Sequence, residues 1–318
     1  MVRDIEAPEL VAAARTGDVR ALARVVSLVE DGAPQLREIA ALLTADSGHA
    51  YVIGLTGSPG VGKSTTTSAL VKAYRSQGLR VAVLAVDPSS PFTGGALLGD
   101  RIRMQEHATD PGVFIRSMAT RGHLGGLSAA TPMALRVLGA AGFDIILVET
   151  VGVGQSEVEV AGTADTTLVL LAPGMGDGIQ AAKAGILEIG DVLVVNKSDR
   201  DGADATAREL RQMLTLVERD STEWRPPVEK LIASTGVGID VLVQRIAEHR
   251  EWGESTGALV VRRQARAAAE VEAVAVGELR KRLGNHRTEL LDELATRVAA
   301  GELDPYRAAD ELVAALVT

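Results

Sequence analysis

Eight residues near the start of the chain constrain its fold more than any other feature. They read Gly-Ser-Pro-Gly-Val-Gly-Lys-Ser at positions 57–64, after a short apolar segment and before a helical stretch. In such a loop the backbone N–H groups wrap around a phosphate, and the following helix N-terminus favours anions. A glycine-rich turn with an exposed lysine is the plain alternative. Strand, spacing and helix together favour a phosphate-binding loop, or P-loop.

Each position of this loop has an expected role. Lys63 is expected to reach the β and γ oxygens of a nucleotide and to act in catalysis, and the Ser64 hydroxyl is expected to bind Mg²⁺. The predicted nucleotide contacts are Gly57, Ser58, Pro59, Gly60, Val61, Gly62, Lys63, Ser64 and Thr65.

Short apolar segments that resemble buried strands follow along the chain. They lie at residues 51–57, 79–87, 112–117, 143–150, 166–172, 191–196 and 228–234. Most are apolar on both faces, and the connections are long enough for helices. The pattern predicts an α/β P-loop fold with a mainly parallel sheet flanked by helices. Ligands of such sheets bind beyond the carboxyl ends of the strands.

Helical patterns flank this predicted core on both sides. We expect an N-terminal helical extension over 1–47, a P-loop domain over 48–250, and a C-terminal helical region over 251–318. Asp304 and Pro305 mark the start of the last helix. The apolar stripes of the C-terminal region fit either a layer packed on the core or a dimerisation arm, and the sequence leaves both open.

Two acidic residues end predicted strands near the P-loop. Asp87 ends the 79–87 segment, and Glu149 lies near the end of the 143–150 segment, before a Val-Gly-Val-Gly loop. In that loop the N–H of Gly152 is expected to contact the γ-phosphate. Mg²⁺ takes hard oxygen ligands and retains waters, so either acid is a candidate metal ligand, directly or through water. Glu149 and Asp100, the latter in a glycine-rich loop at 94–101, are also catalytic candidates. A charged, solvated loop is the alternative for Asp100, and a turn before proline is the alternative for Asp87.

The residues after the 191–196 strand predict which base is bound. They read Asn196-Lys197-Ser-Asp199, and a carboxylate at the end of this strand is suited to accept the N1–H and the amino group of guanine. Adenine would leave that carboxylate unpaired. A polar turn is the alternative, but the order of motifs favours guanine. Ser234, Thr235 and Gly236 follow the last strand, where a backbone N–H would meet the guanine O6.

Composition excludes several classes of function. The net charge is -9, with 33 Lys and Arg against 42 Asp and Glu, and 3% of residues are aromatic, so nucleic acid is not expected as a partner. The absence of cysteine excludes disulfides and thiolate metal sites. The acidic N-terminus lacks signal-peptide character, and no apolar run is long enough for a membrane span, so we expect a cytoplasmic protein without a membrane partner.

Taken together, the motifs resemble those of the MeaB/ArgK family of methylmalonyl-CoA mutase-associated GTPases, called MMAA in animals. The segments that carry the resemblance are GSPGVGKST, VLAVDPSS, GGALLGDR, TRGHLGG, DIILVETVGVGQSE and NKSD. The resemblance implies a G-protein chaperone that binds GTP or GDP with Mg²⁺ and gates cofactor loading of an adenosylcobalamin-dependent methylmalonyl-CoA mutase. It also implies protection or reactivation of that mutase.

The same resemblance implies further partners and sites. It implies a homodimer built partly from the C-terminal helices, and the cobalamin adenosyltransferase is a second candidate partner. Residues 174–180 match a switch that touches the mutase, which makes Asp177 and Lys183 coupling candidates. Two other functions are alternatives: a kinase of transport-system binding proteins, and a metal-delivery NTPase of the same superfamily.

Overall fold

The computed structural model of the protein describes residues 6–44, 50–87, 105–107, 109–119, 130–150, 156–174, 188–216, 220, 222–285 and 290–317. The chain divides into two compact units, Met1–Arg263 and Gln264–Thr318. Among the described helices, none combines the length and the apolar character needed to cross a bilayer. The expectation of a cytoplasmic protein stays a prediction.

One parallel sheet organises the first unit. Its strands are β1 Tyr51–Thr56, β2 Val81–Asp87, β3 Val113–Ala119, β4 Ile145–Thr150, β5 Thr166–Leu171, β6 Val192–Val195 and β7 Val228–Lys230. They lie in the order β3-β2-β4-β1-β5-β6-β7, and each neighbouring pair is parallel. The predicted α/β fold is therefore confirmed, and the sheet is parallel throughout the described strands rather than only mainly so.

Helices connect and cover these strands. In the first unit they are α1 Ala7–Arg15, α2 Val19–Glu30, α3 Leu36–Leu43, α4 Lys63–Ser76, α5 Thr131–Ala140, α6 Ser156–Thr163, α7 Ala203–Thr215 and α8 Ile239–Thr256. Then follow α9 Ala258–Asn285, α10 Leu290–Ala299 and α11 Pro305–Val317. The carboxylate of Asp304 accepts hydrogen bonds from the backbone N–H groups of Tyr306 and Arg307 (3.0 and 3.1 Å), so it caps α11 as expected.

The strands place alternate side chains on opposite faces of the sheet. Val52 and Val148 belong to a core that includes the buried residues of α1 to α3 and of α5. Ile53 and Leu147 belong to a second core, with residues of α4 and α8. Helices α1 to α3, which the sequence predicts as an extension, thus share a core with the sheet because their apolar residues are buried together with those of β1 to β4.

The last predicted strand is shorter than expected. Strand β7 ends at Lys230, whereas the apolar pattern predicts a strand to residue 234. Ile232 instead forms an isolated antiparallel bridge with Val237, and Gly236 and Gly238 between and beside them adopt positive φ (80° and 88°). A tight turn therefore replaces the end of the strand.

Two aspartates at the amino ends of β5 and β6 fix the start of α9. Arg263 donates from Nε and Nη2 to the carboxylate of Asp165 (3.0 and 2.7 Å), and Arg262 donates from Nη1 and Nη2 to that of Asp191 (2.7 and 2.9 Å). The backbone N–H groups of Val52 and Thr167 also donate to these aspartates (3.0 and 2.8 Å). Both arginines belong to the first compact unit, Met1–Arg263. The predicted domain boundaries stay predictions.

The carboxylate of Asp191 makes the stability of the fold depend on pH. Burial by itself would raise the pKa of Asp191, but hydrogen bonds from Arg262 and His249 outweigh it and lower the pKa from 3.8 to about 2. A lowered pKa stabilises the fold above the unfolded-state pKa and loses that contribution as the pH falls from about 4 towards 2. We expect this group to contribute on the order of 2 kcal/mol at neutral pH. Urea unfolding of the wild type and of Asp191→Asn at pH 6 and pH 3 measures it. A difference between the two proteins that is equal at both pH values would contradict the assignment.

Candidate nucleotide site

The P-loop joins the carboxyl end of β1 to the N-terminus of α4. Gly57 and Gly62 have φ of 136° and 98°, which other residues rarely adopt. A Cβ on Gly57 would lie 2.2 Å from the carbonyl oxygen of Leu170, and a Cβ on Gly62 would lie 2.3 Å from Nδ2 of Asn196. The glycines therefore provide both the backbone conformation and the room for neighbouring strands to approach.

The remaining P-loop positions differ in their exposure. Pro59, Gly60 and Thr65 are exposed, Ser58 is half-buried and Val61 is buried. The Lys63 side chain is buried, and its Nζ donates to the carbonyl oxygens of Gly57 and Ser58 (2.6 and 3.2 Å). The amine therefore lies beside the backbone of the loop at the N-terminus of α4, where an anion is stabilised.

The predicted metal ligand Glu149 lies beside the start of α4. Its carboxylate accepts a hydrogen bond from the Ser64 hydroxyl at Oε1 (2.5 Å) and one from the Thr67 hydroxyl at Oε2 (2.9 Å). Glu149 pairs in register with Leu55 of β1 and Ala85 of β2, so the carboxylate is delivered directly beside the P-loop helix. A carboxylate bonded to a serine hydroxyl at the start of the P-loop helix supplies the hard oxygen donors that Mg²⁺ requires.

The oxygen donors of Ser64 and Glu149 can be compared with what Mg²⁺ requires at a nucleotide. Among the described residues no group of three or more His, Cys, Asp or Glu side chains could hold a metal ion. Mg²⁺ in nucleotide sites commonly uses one or two protein ligands and completes its shell with phosphates and water. Ser64 and Glu149 are therefore compatible with that role.

The predicted base loop lies against the P-loop. Asn196 donates from Nδ2 to the carbonyl oxygen of Val61 (2.8 Å) and accepts at Oδ1 from the backbone N–H of Ala233 (3.1 Å). Lys197, with φ of 57°, donates from Nζ to the carbonyl oxygen of Gly60 (2.6 Å). Asn196 thereby ties the P-loop, the end of β6 and the turn after β7 to one another.

The groups assigned to the base are exposed beside these anchors. Asp199 lies in a turn after β6, and the Ser198 N–H donates to the carbonyl oxygen of Leu231 (3.0 Å). Ser234, Thr235 and Gly236 form the neighbouring exposed turn. The fold therefore brings the predicted phosphate, metal and base residues to the same carboxyl edge of the sheet, as strand-end positions in a parallel sheet require.

Several predicted residues lie outside the described residues. They are Asp100, Gly152, Asp177 and Lys183 and the glycine-rich loops that contain them. Asp87 is described as the last residue of β2, but its side chain is not. The roles expected for these residues stay predictions.

Sequence reasoning missed two sets of polar contacts near the site. Thr67 and Ser68 follow Ser64 at helical spacing, which is the signal that would have placed them on the same face of α4. Thr67 contacts Glu149, and Ser68 contacts the side chains of Glu106 and His107. The 3₁₀ turn Gln105–His107 is thereby held against α4.

Alanine at Gly62 is expected to weaken nucleotide binding. The substitution adds a Cβ at a positive φ and 2.3 Å from Asn196, so the loop and the base anchor must separate. Strain of this kind costs about 1–3 kcal/mol, which corresponds to roughly 10- to 100-fold weaker GDP binding by calorimetry. Gly60→Ala is the matched control, because Gly60 also has positive φ (79°) but nothing lies within 4 Å of its Cβ position. Equal losses in both variants would show that the contact with Asn196 is irrelevant.

Comparison with known proteins places this site among GTPases. The family model described as methylmalonyl Co-A mutase-associated GTPase MeaB matches residues 22–288. A Pyrococcus abyssi protein named as a GTPase is 48% identical over 312 residues, covering 97% of this chain and 96% of the relative. The GTPase ArgK of Escherichia coli is 38% identical, covering 83% of this chain and 82% of that protein.

A mammalian relative and a solved structure extend the comparison. The mitochondrial methylmalonic aciduria type A homolog of Mus musculus is 36% identical, covering 94% of this chain and 77% of its own length. The crystal structure of an LAO/AO transport system kinase superposes with a TM-score of 0.74 at 26% identity, and all of both chains is covered.

Proposed function

Since the chain belongs to the MeaB family of methylmalonyl-CoA mutase-associated GTPases and hydrolyses GTP as a P-loop enzyme, we propose that it is a G-protein chaperone of an adenosylcobalamin-dependent methylmalonyl-CoA mutase. In this role GTP binding and hydrolysis gate the loading of the cofactor and protect or reactivate the mutase. The observation that carries the proposal is the family match over residues 22–288, which includes every nucleotide motif of the chain.

The geometry supports a division of labour among the nucleotide residues. Backbone N–H groups of the P-loop and the Lys63 amine bind the β and γ phosphates, and Asp199 reads the guanine edge. Ser64, Glu149 and Asp87 would hold Mg²⁺, which when bound neutralises charge on the phosphate oxygens. Because Asn196 and Lys197 bond to P-loop carbonyls, binding at the base and binding at the phosphates are mechanically linked.

A homodimer is part of the proposal, with the C-terminal helices as the contact. In α9 the consecutive residues 271–276 are all exposed within the single chain, and this stretch includes Val271 (69%), Val274 (61%) and Val276 (39%). Apolar residues exposed on a helix in this way commonly mark an interface with another protein. The oligomeric state by light scattering, with Val271→Glu plus Val274→Glu as the test variant, decides between a dimer arm and a monomer.

The decisive experiment measures GTP hydrolysis with and without a purified methylmalonyl-CoA mutase from the same cell. We expect the mutase to stimulate turnover and GTP to be required for reloading or reactivation of the mutase. Lys63→Ala serves as the control that retains the protein surface but loses phosphate contacts. Hydrolysis that the mutase leaves unchanged, with no complex on gel filtration, would refute the chaperone role and leave the GTPase. The same columns run with the cobalamin adenosyltransferase test the second candidate partner.

The name of the solved neighbour favours one alternative function, phosphate transfer to a transport-system binding protein. Incubation of the protein with labelled GTP and such a binding protein tests it, and stable label on the binding protein would support it. A metal-delivery role would draw on Cys or His ligands, and the chain has no cysteine.

A further inference from the structure

Helix α4 presents two hydroxyl groups to the two oxygens of one buried carboxylate. Ser64 and Thr67 lie three residues apart and so on the same face of the helix. The Ser64 hydroxyl donates to Oε1 of Glu149 (2.5 Å) and the Thr67 hydroxyl donates to Oε2 (2.9 Å). Glu149 is 4% exposed and Thr67 is 0% exposed. Each oxygen of the carboxylate therefore has its own protein donor, away from bulk water.

A glutamate at this position needs such a second anchor. Its side chain has one more rotatable bond than an aspartate, so a single hydrogen bond at Oε1 would leave the carboxylate free to turn about that contact. Threonine is suited to the task because its branched Cβ restricts χ1. Its hydroxyl also lies 3.1 Å from the carbonyl oxygen of Lys63, one helical turn earlier. The single hydroxyl proton can serve one acceptor at a time, and the charged Glu149 oxygen is the stronger and nearer of the two.

We propose that Thr67 is a positioning residue for the metal side of the site. By holding Oε2 it keeps Oε1 on the Ser64 hydroxyl, whose proton is then directed to Glu149 and whose lone pairs would remain available to the ion. In this role Thr67 acts through Glu149. The inference rests on the proposed roles of Ser64 and Glu149 towards Mg²⁺ and adds the group that orders them.

Replacing Thr67 by valine removes the donor while it conserves shape. The buried Oε2 then loses the Thr67 donor, and the carboxylate is held less firmly against Ser64. Loss of an outer-shell partner of this kind typically weakens metal binding by roughly 10- to 100-fold. The metal-free affinity for GDP should stay unchanged, because the P-loop N–H groups and the base anchors are untouched.

The chain offers a matched control in the adjacent residue. Thr66 is likewise 0% exposed on α4, and within the described part of the chain its hydroxyl donates to the backbone carbonyl oxygen of Gly62 (3.0 Å) and not to a carboxylate. Thr66→Val thus makes the same chemical change without a consequence for Glu149. Thr67→Ser restores the hydroxyl and is the rescue variant.

The experiment titrates Mn²⁺ into each protein with GDP and follows free Mn²⁺ by electron paramagnetic resonance, which does not depend on turnover. GDP affinity in EDTA and thermal unfolding are measured beside it. We expect Mn²⁺ affinity to fall roughly 10-fold or more in Thr67→Val and to be retained in Thr67→Ser and Thr66→Val. Equal Mn²⁺ affinities in Thr67→Val and Thr66→Val would overturn the inference. If Thr67→Val does not fold, Thr67→Ala is judged by the same comparison.

Glu149→Gln separates this inference from the proposal beneath it. If Glu149→Gln binds Mn²⁺ as tightly as the wild type does, the metal role of Glu149 itself is refuted. A loss in Glu149→Gln without a loss in Thr67→Val would refute only the positioning role of Thr67.

Discussion

In the Asp199→Asn variant we expect affinity for GTP to fall by roughly 10²- to 10⁴-fold while affinity for xanthosine triphosphate rises. In the proposed site the Asp199 carboxylate accepts hydrogen bonds from both the N1–H and the 2-amino group of guanine. An amide presents one acceptor and one donor, so it opposes the 2-amino group but pairs with xanthine, which keeps N1–H and carries an oxygen at C2. Binding of xanthosine triphosphate by the variant would show that the base contact has changed while the fold is intact.

The structure supplies the control for this substitution. Asp199 and Asp201 are both exposed in the turn that precedes α7, and the anchors Asn196 and Lys197 bond to the P-loop independently of either acid. Asp201→Asn should therefore leave GTP affinity unchanged. Calorimetry with GTP, xanthosine triphosphate and ATP measures all three proteins. Undiminished GTP affinity in Asp199→Asn would refute the assignment of Asp199 to the base.

The sequence predicts most of the sheet because its strands are buried on both faces. A continuous apolar run ended by glycine or an acid is then enough to identify a strand, as at residues 143–150, where β4 spans Ile145–Thr150. This rule fails at residues 228–234, where the apolar residues continue past the strand into a turn closed by Ile232 and Val237. Apolar side chains indicate that a segment is buried, and a segment can stay buried beyond the end of its strand.

The nucleotide site is predictable where its residues are adjacent in sequence and less so where they are distant. The P-loop and the Asn196 to Asp199 segment are local patterns whose chemistry is fixed by spacing. The bond from Asn196 to Val61 spans 135 positions, and that from Thr67 to Glu149 spans 82. Such contacts depend on strand order, which local periodicity does not contain.

The amino edge of the sheet is the largest feature that the motifs left out. Asp191 is the first residue of the predicted 191–196 strand, and no motif in the sequence includes His249 or Arg262. In the fold His249 is buried, with Nδ1 2.8 Å from the Thr166 hydroxyl and Nε2 3.2 Å from the Asp191 carboxylate. Its ring stacks on Trp252 at 5.6 Å. These groups meet because the chain returns to the sheet after α8.

Asp191→Asn is expected to lower the free energy of unfolding by roughly 3 kcal/mol. The Asp191 side chain is 10% exposed, and its carboxylate accepts from both Nη atoms of Arg262 and from the Thr167 N–H. The neutral amide cannot compensate the positive charge of the Arg262 guanidinium. Its NH₂ group would also face N–H groups of Arg262 or Thr167, which are donors themselves. Urea unfolding followed by tryptophan fluorescence measures the loss directly, since Trp224 donates from Nε1 to the Asp191 carbonyl oxygen (2.7 Å).

An exposed ion pair and a double variant determine whether burial is the cause. Lys230 Nζ lies 2.8 Å from the Asp204 carboxylate, which is similar to the distances between Arg262 and Asp191. The Asp204 side chain is 72% exposed, so Asp204→Asn should lower the free energy of unfolding by less than about 1 kcal/mol. Asp191→Asn combined with Arg262→Gln should cost less than the sum of the single variants, because the second change removes the cation that the first left unpaired. Additive losses would mean that Asp191 stabilises the fold through the Thr167 N–H and the histidine alone. Non-additive losses would show that the ion pair between Asp191 and Arg262, in the first turns of α9, stabilises this edge of the sheet.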